Sequence, residues 1–129
     1  MLGSILPQLE DSRGRLEVRK LTVLLLTTTG RKSAAQRTVP LPCYAYEGRT
    51  FIVASFAGRE EHPAWYLNLT VRPEVEVQLR SRKSRYRAVT LSGAERARIW
   101  TMLIEDWPRY RGYQNATSRE IPLVELIAV

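Results

Sequence analysis

The sequence predicts an α+β fold, mainly β: about six antiparallel strands closed into a small barrel, with two or three helices outside it or across one mouth. Three observations carry this prediction. Short runs rich in Val, Ile, Leu and Thr recur along the chain, bounded by Gly, Pro and charged turns. They follow one another as hairpins, which argues against a parallel strand–helix–strand sheet. Helical spacing of apolar residues is confined to single segments between those hairpins.

The 129 residues form one domain, residues 1–129, long enough to bury a core without a disulfide or metal staple. Residues 1–20 are polar and mixed, an N-terminal extension with room for a short helix around 5–10. Residues 21–28 are an unbroken β-branched and leucine-rich run, read as a buried strand. Gly30-Arg31-Lys32-Ser33 is a polar loop opened by glycine. Residues 37–46 are extended, and Pro40 and Pro42 place them at an edge or a bulge. Glu47-Gly48 turns the chain into a strand over 50–55.

After a loop over 57–61, His62-Pro63 opens a short helix with Pro63 at its first position. Trp65, Asn68 and Leu69 share one face of it, and Pro73 stops it. Residues 74–79 alternate with period two, a half-buried strand, and a turn over 81–84 leads to another over 85–91. Ser92 and Glu95 have capping-box spacing, opening a helix whose apolar face is Ala97, Trp100, Leu103, Ile104 and Trp107. Pro108 interrupts it. Residues 109–116 form a second polar, aromatic helix, and 121–127 are the closing strand.

Charge narrows the function. Lys and Arg number 20 against 13 Asp and Glu, a formal charge of +7 carried mostly by Arg. Such a surplus attracts anions, whether nucleic acid, an anionic membrane or a phosphorylated cofactor, and guanidinium groups suit phosphate and carboxylate. No unbroken apolar run exceeds Val23-Leu24-Leu25-Leu26 in length, too short for a transmembrane segment. The start lacks the basic region and long apolar core of a signal peptide, so the expected location is cytoplasmic. The lone Cys43 offers neither a disulfide nor zinc spacing, and no metal site is expected. The lone His62 reads as a helix N-terminal residue; no GxSxG elbow accompanies it, and HExxH, GxxxxGK[ST] and GxGxxG are absent.

Two constellations remain. The loop after Thr27-Thr28-Thr29, with Arg31, Lys32 and Arg37, offers hydroxyls, backbone N–H groups and cations to a phosphate or carboxylate, and equally reads as a solvated basic loop. Trp107, Tyr110 and Tyr113, spaced by three, line one side of a short helix where rings can stack on a flat ligand. Trp107 alone reads better as core, whereas Tyr110 and Tyr113, among Arg109, Arg111, Gly112 and Gln114, are expected in wetter positions. The basic run from Arg80 to Arg85 falls at a hairpin tip and reads as a solvated turn, so no nucleic-acid partner is expected.

The order of motifs LLLTTTGRKS (24–33), RTVPL (37–41), VASFAG (53–58), HPAWYLNL (62–69), RPEVEVQ (72–78), WPRYRGYQ (107–114) and REIPLV (119–124) resembles the deazaflavin-dependent nitroreductases, also described as coenzyme F420-dependent quinone reductases. The resemblance implies a split β-barrel of the flavin-reductase (FMN-binding-like) type. It also implies that reduced F420 binds in a groove and passes a hydride to a quinone, a nitroaromatic or a similar conjugated acceptor. By the same resemblance, Arg31, Lys32 and Arg37 meet the anionic phosphate and tail of the cofactor. Ser55, Phe56, Ala57 and Gly58 form the loop against its phosphate and ring, Val39, Pro40 and Leu41 lie beside the ring, and Trp65 and Asn68 sit on the next helix. Trp107, Tyr110 and Tyr113 cover the substrate pocket with Pro42, and Tyr110 or Tyr113 gives a hydrogen bond or proton to the acceptor. Phe56 stands where many members have Lys, Ala34 where Gly is usual, Pro42 where some have an aromatic residue, and Trp107 where some have Tyr. The alternatives are an FMN-dependent oxidoreductase on the same barrel, or a non-catalytic barrel that binds a cofactor or nucleic acid. A homodimer paired through a sheet face is an open expectation.

Overall fold

A strand sends alternate side chains to opposite faces, so the apolar half of each alternation decides which way a sheet closes. In the computed structural model, which describes residues 21–129, six strands close into an antiparallel barrel. They are β1 (Thr22–Thr29), β2 (Gln36–Tyr46), β3 (Arg49–Val53), β4 (Glu74–Leu79), β5 (Arg82–Thr90) and β6 (Leu123–Ala128), in the order β1-β2-β3-β6-β5-β4. Helix α1 (Ala64–Val71) follows β3; α2 (Gly93–Asp106) and α3 (Arg109–Asn115) lie between β5 and β6. The helix expected around 5–10 lies outside the described residues.

Two cores result. Leu24, Leu26, Ile52, Val77, Tyr86 and Leu126 fill the barrel, and Tyr66 and Leu69 of α1 join them across one mouth. Tyr44, Phe51 and Leu123 point outward and pack against Ile99, Leu103 and Tyr110, so α2 and α3 cover the outer face of β2, β3 and β6. Among the described residues no helix is long and apolar enough to cross a membrane.

Several sequence expectations shift. β1 is half-buried rather than buried: Leu24, Leu26 and Thr28 point in, while Val23 and Leu25 are 47% and 39% exposed. β2 pairs with β1 along its first eight positions, but only Tyr44, Ala45 and Tyr46 pair with β3. The first part of β2 therefore keeps an unpaired edge. Pro40 and Pro42 fall in that part of β2, which fits the edge reading. β5 begins at Arg82, so the hairpin tip is only Arg80-Ser81, and Arg82 to Arg85 lie in the strand. Pro63 is the N-cap of α1 rather than its first residue.

Ser92 occupies the N-cap of α2 without a side-chain cap bond, and the Glu95 carboxylate accepts from Arg49 Nη2 at 2.7 Å instead. The capping box does not form because a cation offers the carboxylate a charge-assisted bond. The buried face of α2 is Arg96, Ile99 and Leu103, and Ala97 is exposed. Arg96 takes the inner position because its guanidinium stacks on Trp100 at 4.6 Å and donates to the Ile121 carbonyl at 2.6 Å.

Candidate functional site

A groove of about 410 Å³ opens where the loop after β1 meets α1, lined by Gly30, Arg31, Lys32, Ser33, Arg37, Val39, Ala64, Trp65 and Asn68. It gathers Arg31, Lys32, Arg37, Val39, Trp65 and Asn68 from the sequence-predicted set. Leu41 packs against the barrel core nearby, and Pro40 faces outward opposite Leu25.

The loop is tightly closed. Gly30 N–H donates to the Ala35 carbonyl at 2.7 Å and Ala34 N–H to the Gly30 carbonyl at 3.0 Å. A Cβ on Gly30 would stand 3.0 Å from Ser33 Oγ and 3.1 Å from the Ala35 carbonyl oxygen. Ala34 has φ 61°, the left-handed region that suits glycine, which gives a backbone reason for the Gly that the resemblance implies there. Asn68 is buried beneath the loop. Its Nδ2 donates to the buried Thr28 Oγ1 at 3.2 Å, and its Oδ1 accepts the Arg31 backbone N–H at 3.2 Å and Arg31 Nη1 at 3.0 Å. Asn68 thus spends its polar atoms on fixing Arg31. Lys32 and Arg37 are exposed and make no hydrogen bond or ion pair with any described residue. Among the described residues no carboxylate lines the groove, so its three cations suit an anionic ligand.

The loop after β3 is a second anion-suited feature. Ser55 is right-handed (φ −75°, ψ −35°), and Phe56, Ala57 and Gly58 follow at φ 47°, 53° and 81°. A right-handed residue followed by a left-handed one gathers successive N–H groups into a concavity for anions. Among the described residues no acceptor takes the N–H of Ser55, Phe56 or Ala57. The Arg59 guanidinium lies 4.4 Å from the Phe56 ring, with Glu61 3.5 Å from its nitrogen. This side of the loop thus carries a cation, partly neutralised.

Sequence reasoning gave no role to Arg119. Its guanidinium donates to the carbonyls of Ala54 (3.2 Å), Ser55 (2.8 Å) and Arg59 (2.8 Å) and meets His62 Nδ1 at 3.0 Å. Burial and the Arg119 charge lower the His62 pKa, which leaves its Nδ1 free to accept. The only sequence signal was the Arg of REIPLV, more than fifty positions from the loop it holds.

The expected aromatic trio divides. Trp107 meets Tyr44 edge-on at 5.4 Å, Tyr44 meets Tyr110 at 5.7 Å, and Tyr110 meets Tyr113 at 5.8 Å. Tyr110 is 5% exposed, not wet, and its hydroxyl lies 2.5 Å from that of Tyr44. Burial pushes both phenols above their ordinary value. Trp107 and Tyr113 are half-buried, and the Tyr113 hydroxyl has no partner among the described residues. Pro42 is half-buried on the outer face of β2, two residues from Tyr44. The groove and the aromatic row are separate clusters joined by the segment 54–63. Its Gly58 packs on α3 so closely that a Cβ would stand 2.9 Å from the Tyr113 carbonyl oxygen, and its end opens α1.

The fold and sequence have known relatives. The profile of a family described as F420H(2)-dependent quinone reductase matches residues 9–127. An F420H(2)-dependent quinone reductase of Mycobacterium tuberculosis is 40% identical over 107 residues, covering 80% of this chain and 71% of the relative. A solved F420-H2 dependent reductase superposes with a TM-score of 0.71 at 38% identity, over 81% of this chain and 93% of that one. A chain solved as a domain-swapped dimer superposes with a TM-score of 0.72 at 35% identity, over 92% and 89% of the two chains.

Proposed function

The chain belongs to the F420H(2)-dependent quinone reductase family, and from that premise we propose that Lys32 and Arg37 hold the anionic tail of F420 in the groove beside α1. The protein is an F420-dependent reductase, and the FMN-dependent and non-catalytic readings are not favoured. The observation that carries the site assignment is the groove itself: among the described residues it gathers three cations and no carboxylate, and two of the cations have no partner there. These residues fit a phosphorylated, acidic cofactor, because unpaired Lys and Arg gain charge-assisted bonds when an anion arrives.

The reduced deazaflavin supplies the hydride; the chain's residues bind, orient and screen. Asn68 fixes Arg31 so that its charge faces the groove. The N–H groups of Ser55, Phe56 and Ala57 receive a phosphate, and Val39, Pro40 and Leu41 of β2 flank the ring. Trp107 and Tyr113 wall the acceptor pocket with Pro42. The Tyr113 hydroxyl donates a hydrogen bond to charge developing on a quinone oxygen, while Tyr110 braces Tyr113 edge-on. Orientation by these groups is the protein's share of the rate.

The exposed Val23 and Leu25 of β1 give an apolar outer face that α2 and α3 leave uncovered. This face is the proposed contact of a homodimer; a similar chain is solved as a domain-swapped dimer, which speaks for pairing but not for the face. A cytoplasmic location is part of the same proposal.

The test of the groove is the pair Lys32→Ala and Arg37→Ala. Combined, they weaken F420 binding by at least about tenfold and flatten its salt dependence. Wild-type affinity in the double variant would remove the groove from the cofactor site.

A further inference from the structure

Arg119 gives its guanidinium to main-chain oxygens rather than to a carboxylate. Its nitrogens reach the carbonyls of Ala54, Ser55 and Arg59 at 3.2, 2.8 and 2.8 Å, and the His62 ring at 3.0 Å. These oxygens bracket the turn Phe56–Gly58, in which two non-glycine residues have φ of 47° and 53°. Left-handed backbone is costly for L-residues, so such a turn persists only where its surroundings fix it. Arg119 closes one side of the turn, and Gly58 against Tyr113 and Ala116 closes another.

The restraint also sets direction. In a trans peptide the carbonyl and the N–H point opposite ways, and no peptide bond here is cis. With the Ala54 and Ser55 oxygens fixed on Arg119, the N–H groups of Ser55 and Phe56 point away from it. Those are the groups left without an acceptor among the described residues. Arg119 forms no ion pair with a described carboxylate, while Glu60 and Glu61 lie near enough to temper its charge, so its part is to hold the carbonyls rather than to add charge.

We infer that Arg119 is a positioning residue for cofactor binding: it holds the turn 55–58 in the shape that presents its N–H groups to the phosphate of F420. The inference rests on the reading that this turn lies against the anionic part of the cofactor.

Arg119→Lys and Arg119→Gln in the full chain test it. F420 affinity is read by fluorescence, kcat at saturating F420 and quinone by turnover, and folding by circular dichroism. Lysine keeps the charge but cannot bridge three carbonyls. Arg119→Gln binds F420 at least about tenfold more weakly, Arg119→Lys lies between it and wild type, and kcat at saturation stays within about twofold. Wild-type affinity in both folded variants overturns the proposal, and so does a lost kcat at unchanged affinity. Failure of both to fold also overturns it, because Arg119 would then be a residue of the fold. Ala57→Asp, which puts a carboxylate on the exposed turn, tests the underlying reading separately. Unchanged affinity in Ala57→Asp takes the turn away from the cofactor; weakened binding there with intact Arg119 variants rejects only the positioning role.

Discussion

Tyr110 and Tyr113 stand three positions apart on one short helix and meet different surroundings. Tyr110 is buried with its hydroxyl on Tyr44, whereas the half-buried Tyr113 has no such partner among the described residues. Tyr113→Phe is therefore expected to lower kcat with a quinone by about tenfold at unchanged F420 affinity. Tyr110→Phe leaves a buried Tyr44 hydroxyl unpaired, costing about 1–3 kcal/mol of stability with activity of the folded enzyme retained. Steady-state kinetics and thermal melts of the two variants check this, and full activity in Tyr113→Phe would discard its role. The spacing in the sequence put both rings on a helix. It could not say which faced the barrel, because Tyr44 lies 66 positions away. Asn68 was legible as a residue of the helix face beside the loop, but its bond with Arg31, 37 positions back, is a contact that no local pattern encodes.

Elements were legible where the alternation was clean. EVEVQL gives β4 with Val75 and Val77 inward, as its period-two pattern requires. In β1 the run Val23-Leu24-Leu25-Leu26 carries no alternation, so its two faces appear only in the folded barrel. The expected capping box at Ser92 fails by competition. Arg49 holds Glu125 through two bonds of 3.1 and 2.9 Å and takes Glu95 as well, tying α2 to β3 and β6. The turn Phe56–Gly58 read as plain loop because left-handed φ at Phe56 and Ala57 has no residue signature. Gly58 is its indispensable position: φ is 81°, and a Cβ would stand 2.9 Å from the Tyr113 carbonyl oxygen. Gly58→Ala is expected to cost about 2 kcal/mol or more, by strain plus clash, and to weaken F420 binding through the turn. A denaturant melt that matches wild type would show that the turn is not wedged against α3.

At the scale of the molecule, alternating strands and hairpins made the barrel legible, and the +7 charge pointed to an anionic ligand. Closure itself, β1 on β4 and β3 on β6, joins segments far apart in sequence and became visible only in the fold. The uncovered face of β1 and β2 is expected to pair two copies. Light scattering should give a dimer, and Leu25→Glu should give a monomer that still binds F420; an unchanged assembly in that variant would move the interface elsewhere. The central claim is that the cationic groove and the turn 55–58 together hold F420. Its most direct measurement is a fluorescence titration of the protein with F420 and, in parallel, with FMN, at low and high salt. The account predicts preferential F420 binding that weakens as salt screens the groove. Equal or tighter binding of FMN, or F420 affinity indifferent to salt, would contradict it.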